Sequence, residues 1–277
     1  MRANLLGRLN ARSQEDVVRI AATWRIATEG RDRLGIVASL YRALTDIRTI
    51  RDIWRELPED ERALIVALDR EPGASFTMPE VAAALNLPLD EVRRRAVSLF
   101  QKGLVVCEGD DAALPVGELP KLFLPRELAA LFRRVRAEIA AGDVSNEPLD
   151  RLLANFDDVE IEQAADAWGV HVVAGLKKRA DLIRLLLAQV DDPLRRETVT
   201  AKLTGPAAKI WRALRSASPG PVDLEEAIAA AEFNERDPRA RHRARLALAD
   251  LEDKLLVMHA YRPDGGRVVF IPRDIAE

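Results

Sequence analysis

The sequence predicts a mainly α-helical fold with small β-hairpins, laid down twice along the chain. Three observations carry this. The 277 residues are 48 % hydrophobic but only 5 % aromatic. Ala and Leu dominate the apolar set, which favours helices packed through small and medium side chains over a strand-rich core. Cap and turn residues punctuate the chain at helical intervals. The two halves also match in order. VVRIAATWRI around Trp24 answers IEQAADAWGV around Trp168, 144 residues on. The segment ending at Asp46 answers the one ending at Asp192 at an offset of 146, and FLPRELA from Phe123 answers FIPRDIA from Phe270 at 147. The register holds between them, through LPEDERALIVAL from Leu57 and LTGPAAKIWRAL from Leu203.

In the first copy, Ser13 is placed to cap a helix running to about Trp24. Asp16 stands at its third position, where a carboxylate complements the positive helix end. A link from Arg25 to Gly30 leads to a second helix, from near Asp32 to near Thr45. Gly35 inside it costs roughly 1 kcal/mol relative to Ala. The matching pair in the second copy is about Val159–Trp168 and Lys178–Val190. The next helix, Pro58 to Leu68, has proline in its first turn and Glu59, Asp60 and Glu61 at its positive end. Beyond the turn at Pro72–Gly73, Thr77 and Glu80 have capping-box spacing for a short helix, Pro79 to Leu85. Asn86–Leu87 forms a turn, and a longer helix spans Leu89 to Lys102.

Leu104–Cys107 and Leu122–Leu124 read as strands around a loop, Glu108 to Lys121. The second copy repeats the order: a helix Pro206–Leu214, then Asp223 and Glu226 as cap and partner of a helix to Ala231, then a helix Arg239–Lys254. Its strands, Leu256–Tyr261 and Arg267–Ile271, flank Arg262-Pro-Asp-Gly-Gly266, a strong hairpin-turn sequence. Between the copies lie a helix, Leu128 to Ala141, and a hinge, Gly142 to Asn146. Leu64, Leu68, Val81, Leu85, Val92, Leu99, Leu104 and Val105 read as core, and Trp24 and Trp168 as core anchors on apolar helix faces.

The catalytic and metal-binding patterns searched for do not emerge. His171, His242 and His259 stand far apart, and Cys107 is the only cysteine, so no metal-ligand spacing forms. No glycine-rich phosphate loop or nucleophile elbow occurs, and the carboxylate pairs Asp157–Asp158 and Asp191–Asp192 fall at helix ends. The chain therefore reads as a non-enzyme without cofactor or metal. No apolar run approaches the roughly 20 residues of a membrane span. The lone cysteine and the lack of a leader pattern point to a cytoplasmic protein. A net charge of −3 argues against a non-specific nucleic-acid coat, but 31 % charged residues leave room for a segregated basic face.

The first part of each copy (helix, extended link, basic turn, helix) resembles SAP-like or Rho-N-like nucleic-acid-binding modules. The resemblance rests on Trp168, Gly169, Val170, Gly175, Lys177, Lys178, Leu182 and Ile183, and more loosely on Trp24, Arg25, Ile26, Gly30, Arg31, Asp32, Gly35 and Ile36. The second part (helix, helix, turn, helix, two-stranded wing) resembles a winged helix-turn-helix domain. The alternation of the two is similar to accessory regions of XPB-type helicases, though no motor motif is present. It implies SAP-like modules at 1–50 and 147–196, winged-helix domains at 51–127 and 197–277, and a linker helix and hinge at 128–146.

By the same resemblance the third helix enters the major groove and the wing touches the backbone. The implied DNA-contacting residues are Arg93, Arg94, Arg95 and Lys102 in the first copy, and Lys177, Lys178 and Arg179 in the second SAP-like part. In the last domain they are Arg236, Arg239, Arg241, Arg243 and Arg245 on the helix and Arg262 and Arg267 on the wing. The expected partner is double-stranded DNA, in a regulatory or accessory role. The alternative is a protein-interaction or architectural module that docks onto a transcription, repair or other nucleic-acid-processing complex.

Overall fold

A computed structural model describes residues 4–71, 73–107, 121–170, 178–218, 220–231 and 239–276. It divides into two compact units, Met1–Arg136 and Ala137–Glu277. Each is mainly helical with one small antiparallel sheet, and no helix among the described residues is long and apolar enough to cross a membrane.

In unit 1 the cap residues act where the sequence put them. Ser13 Oγ accepts from the Asp16 amide at 3.1 Å to start α2 (Gln14–Thr23). Asp32 Oδ1 accepts from Gly35 at 2.8 Å to start α3 (Arg33–Leu44). A Cβ on Gly35 would stand 3.0 Å from that oxygen, so this glycine makes room for the cap instead of weakening the helix interior. Pro58 precedes α5 (Glu59–Leu68), and Thr77 with Glu80 closes the expected capping box on α6 (Met78–Leu85). The Thr77 amide and hydroxyl bonds hold the Glu80 carboxyl below the usual carboxylate range. Asn86 takes the left-handed turn, and α7 (Leu89–Gln101) leads into β1 (Val106–Cys107), paired antiparallel with β2 (Leu122–Phe123). The sequence reading starts that strand at Leu104; ladder pairing begins only at Val106.

Two further helices of this unit correct the reading. α3 ends at Thr45 as expected, but Asp46, which follows it, opens a helix that the sequence reading did not place. It caps α4 (Ile47–Glu56), accepting from the Arg48 amide at 3.0 Å. Ile47, Ile50, Ile53 and Trp54 are buried along one face of α4, and Trp54 meets Phe132 of α8 (Arg126–Ala141) with ring centroids 5.6 Å apart. The N-terminal helix α1 (Leu5–Ala11) packs on α3 through Leu5 and Leu9. The expected core residues Leu64, Leu68, Val81, Val92, Leu99, Leu104 and Val105 are buried, and Leu85 is half-buried. Asp69, at the end of α5, lies under Arg133 (2.6 Å) and Arg136 (3.4 Å). Burial outweighs both guanidinium groups there and raises the carboxyl above the usual range.

Unit 2 runs α9 (Leu149–Leu152) into a 3-10 turn, then α10 (Asp158–Ala167), α11 (Arg179–Val190), α12 (Pro193–Ala201) and α13 (Gly205–Ala217). After them come β3 (Val222–Asp223), α14 (Leu224–Ala229), α15 (Ala240–Asp253), β4 (Met258–Tyr261), β5 (Arg267–Phe270) and α16 (Arg273–Ala276). Asp192, like Asp46, caps the helix that follows it, α12, which the sequence reading did not place. β5 is the middle strand of the order β3-β5-β4, so the expected hairpin gains a third strand. Asp223 accepts from the Glu225 amide at 2.9 Å, so its partner in the cap is Glu225 and not Glu226. The segment expected to be a hinge is packed into this unit: Ser145 is buried, and the Gly142 carbonyl accepts from the Tyr261 amide at 3.2 Å.

The same long-range bonds occur in both units. The Trp24 indole N–H donates to the Lys102 carbonyl at 2.8 Å, and that of Trp168 to the Lys254 carbonyl at 2.8 Å. Glu127 accepts from the Leu5 amide at 3.2 Å, and Asp274 from the Leu149 amide at 2.8 Å. The Arg33 guanidinium donates to the Arg12 carbonyl at 2.8 Å, and that of Arg179 to the Phe156 carbonyl at 2.6 Å. Positive φ occurs at Arg25 (57°) and Gly169 (78°) after the Trp-bearing helices, and at Gly103 (76°) and Leu255 (56°) after α7 and α15.

Candidate nucleic-acid interface

Helix α15 is fixed in rotation by Ala240, Ala244, Leu248 and Leu251, a buried stripe at helical spacing. The stripe turns Arg239, Arg241, His242 and Arg243 outward to exposed positions, with Arg245 half-buried beside them. The Arg241 guanidinium pairs with Glu225 Oε2, and Arg245 stands 4.0 Å from Glu225 Oε1. Glu225 is the second residue of α14. From the hairpin turn, Arg262 comes within 3.8 Å of Asp223, immediately ahead of α14. The turn itself is closed by Arg262 N–H to the Gly266 carbonyl at 2.8 Å and by Gly266 N–H to Asp264 Oδ1 at 2.8 Å. The first half of α15, the start of α14 and the wing turn thus bring three arginines around two carboxylates.

The charge order along α15 opposes its own backbone. A helix favours anions at its N-terminus and cations at its C-terminus. Here Arg239, Arg241 and Arg243 crowd the N-terminal turns, while Asp250, Glu252 and Asp253 occupy the C-terminal ones.

No family model matches the chain, and neither a characterised protein nor a solved structure does. The site is therefore read from its geometry alone.

The other residues singled out from the sequence are spread over several structural settings. Arg93 is exposed, 3.6 Å from Asp90, and Arg94 is exposed with no charged partner among the described residues. Arg95 lies 3.0 Å from Asp60 and also pairs with Glu91, leaving its side chain only 14 % exposed. Lys102 reaches the buried Glu61 at 2.5 Å, whose other oxygen accepts from the Ser98 hydroxyl at 2.7 Å. Arg95 and Lys102 are thus engaged inside unit 1. Arg179 is engaged likewise in unit 2, held by Asp158 at 2.8 Å and by the carbonyls of Leu153 and Phe156. Lys178 is exposed at the N-cap of α11. Arg267 is buried, because β5 is the central strand and all four of its residues are covered. Lys177 and Arg236 lie outside the described residues.

Sequence reasoning missed Asp223 and Glu225 as members of this face. These two belong to a different element from the arginines, and only the tertiary packing of α14 on α15 brings them in. Among the described residues no cluster of three or more His, Cys, Asp or Glu side chains is arranged to hold a metal ion.

Proposed function

We propose that this chain is a non-enzymatic, duplex-DNA-binding protein of a regulatory or accessory kind, acting mainly through unit 2. The observation that carries the reading is the convergence of Arg241 and Arg245 of α15 with Arg262 of the wing turn at one exposed face. Arg239 and Arg243 extend the same half-helix. Arginine is suited to bidentate contact with phosphate or guanine. Cations at a helix N-terminus stand against the dipole, and a phosphate brought to this face would offset that cost.

The matching Trp, Arg and carboxylate bonds of the two units support the reading that the chain is an internal duplication. The order helix, short helix, long helix, hairpin supports a winged helix-turn-helix domain in each copy, preceded by a SAP-like helical module. A protein-docking role is the second reading, and it applies best to unit 1. There the third helix turns Arg95 and Lys102 inward onto Asp60, Glu91 and Glu61.

The test is fluorescence-anisotropy binding to a mixed-sequence duplex across a salt series, for the wild type and for Arg239, Arg241, Arg243 and Arg245 changed together to Ala. Wild-type binding should weaken steeply with salt. The variant should bind about tenfold or more weakly at low salt, and its log–log salt slope should flatten by about 0.9 for each phosphate that it no longer neutralises. Absence of wild-type binding at low salt, to duplex or single strand, would sink the proposal and favour docking.

A further inference from the structure

Resting on the duplex reading above, we propose that Asp223 and Glu225 act as a built-in anion that occupies the arginine face and gives it up to the phosphate backbone. Glu225 uses one carboxylate oxygen for each of two arginines four residues apart on α15, which is one turn of helix. Asp223 uses one oxygen to cap α14 and points the other toward Arg262. Two side chains from one short segment therefore address three arginines, Arg241 and Arg245 of the third helix and Arg262 of the wing turn.

The exposures decide what these pairs do. Arg241, Arg245 and Glu225 are 54 %, 40 % and 44 % exposed, and Arg262 and Asp223 are 48 % and 40 %. Ion pairs open to solvent to this degree hold weakly, so they orient the guanidinium groups without locking them. A single small anion gains little by replacing a carboxylate already in place. A continuous phosphate backbone meets several arginines at once and displaces both carboxylates together. The segment thus lowers the affinity for any anion and raises the relative preference for a polyanion. The contrast with Glu61 is one of burial: Glu61 is 8 % exposed where it holds Lys102, and that pair is structural.

The experiment compares Glu225→Gln with Glu226→Gln. Both remove one negative charge from adjacent positions of α14. Glu226 is exposed and has no ion pair among the described residues, so it controls for long-range charge. Duplex binding is followed by fluorescence anisotropy across a salt series, with thermal melts to establish that both variants fold. Glu225→Gln should bind about three- to tenfold tighter at moderate salt, and its log–log slope should steepen by about 0.9 to 1.8, one or two further phosphates neutralised. Glu226→Gln should change affinity less than about twofold and leave the slope as it is. Wild-type binding with Glu225→Gln no tighter than Glu226→Gln overturns the built-in anion but leaves the duplex reading standing. Absence of binding by the wild type and both variants overturns both.

Discussion

Helices α7 and α15 each follow a short helix, lead into a hairpin strand and carry a run of arginines, yet their charges are ordered in opposite senses. α7 opens on Asp90 and Glu91 and is capped at its far end by Lys102, the order that a helix dipole rewards. α15 opens on arginines and carries Asp250, Glu252 and Asp253 in its last turns, ahead of its own C-cap lysine, Lys254. The charges at its N-terminus thus stand against the dipole, at a cost of a few tenths of a kcal/mol or more each. In α7, Arg95 and Lys102 serve the fold through Asp60, Glu91 and Glu61. In α15 the arginines stay near the surface on partners that are themselves half-exposed. A basic run is informative about binding only when its charges are not already used inside the fold.

The largest expected effect that tests this contrast is at the two lysines that end these helices. Lys102 reaches a buried carboxylate, whereas Lys254 pairs with Asp250, which is 50 % exposed. Lys102→Ala should cost about 2–3 kcal/mol, toward or below the lower end of the range for breaking a buried pair, because the lysine is itself partly exposed. Lys254→Ala should cost less than about 1 kcal/mol. Urea unfolding of both variants measures the difference, and equal costs would erase the distinction between an inward and an outward helix.

A smaller effect is expected at the turns after the two tryptophans. Arg25 holds a φ of 57° where Gly169 stands in the other unit. Left-handed backbone strains a side-chain-bearing residue by about 1 kcal/mol. Arg25→Gly should therefore raise the melting temperature by up to that equivalent, and Gly169→Ala should lower it. A melting point that falls for Arg25→Gly would mean that its exposed pairing with Glu56, 3.6 Å away, outweighs the backbone strain.

The smallest effect is a pH dependence confined to unit 1. Asp69 is raised by burial despite Arg133 and Arg136, and the corresponding position of unit 2 is Arg215 by the offset of 146. A carboxyl raised on folding is bound more tightly to its proton in the native state. Its contribution is fully present below the ordinary aspartate pKa and is lost as pH rises through the raised value. Unfolding titrations should show that loss in the wild type across this window, and Asp69→Asn should remove it. An unchanged pH profile in the variant would assign the effect to another group.

Much of the fold is legible where a side chain speaks for its own backbone. Ser13, Asp32, the Thr77–Glu80 box and the Asp264–Gly266 turn each satisfy backbone groups a few residues away, so spacing reveals them. Helix α4 has a readable face in Ile47, Ile50, Ile53 and Trp54 and a cap in Asp46, but it starts so soon after α3 that the sequence reading placed no helix there. Helix α12 is fainter, because Val199 alone among its residues is buried. β3 has two residues, and its partner strand lies more than forty residues along the chain. The arginines of the candidate site stand out as a cluster, but their surroundings do not. Glu225 is 16 residues from Arg241, a separation with no periodic signature. Arg267 reads as solvent-facing in the sequence, and only its place on the middle strand of the sheet buries it.

The bond between Gly142 and Tyr261 has a consequence for association between molecules. β4 is an edge of its sheet, and an edge strand with unpaired amides is a template on which another chain can add. By accepting from Tyr261 at 3.2 Å, the residue that follows α8 closes the end of that edge with backbone from the same unit. The turn after α8 thus satisfies one outward amide of this edge, and a fragment of unit 2 beginning after Gly142 would leave that amide open to a neighbouring copy.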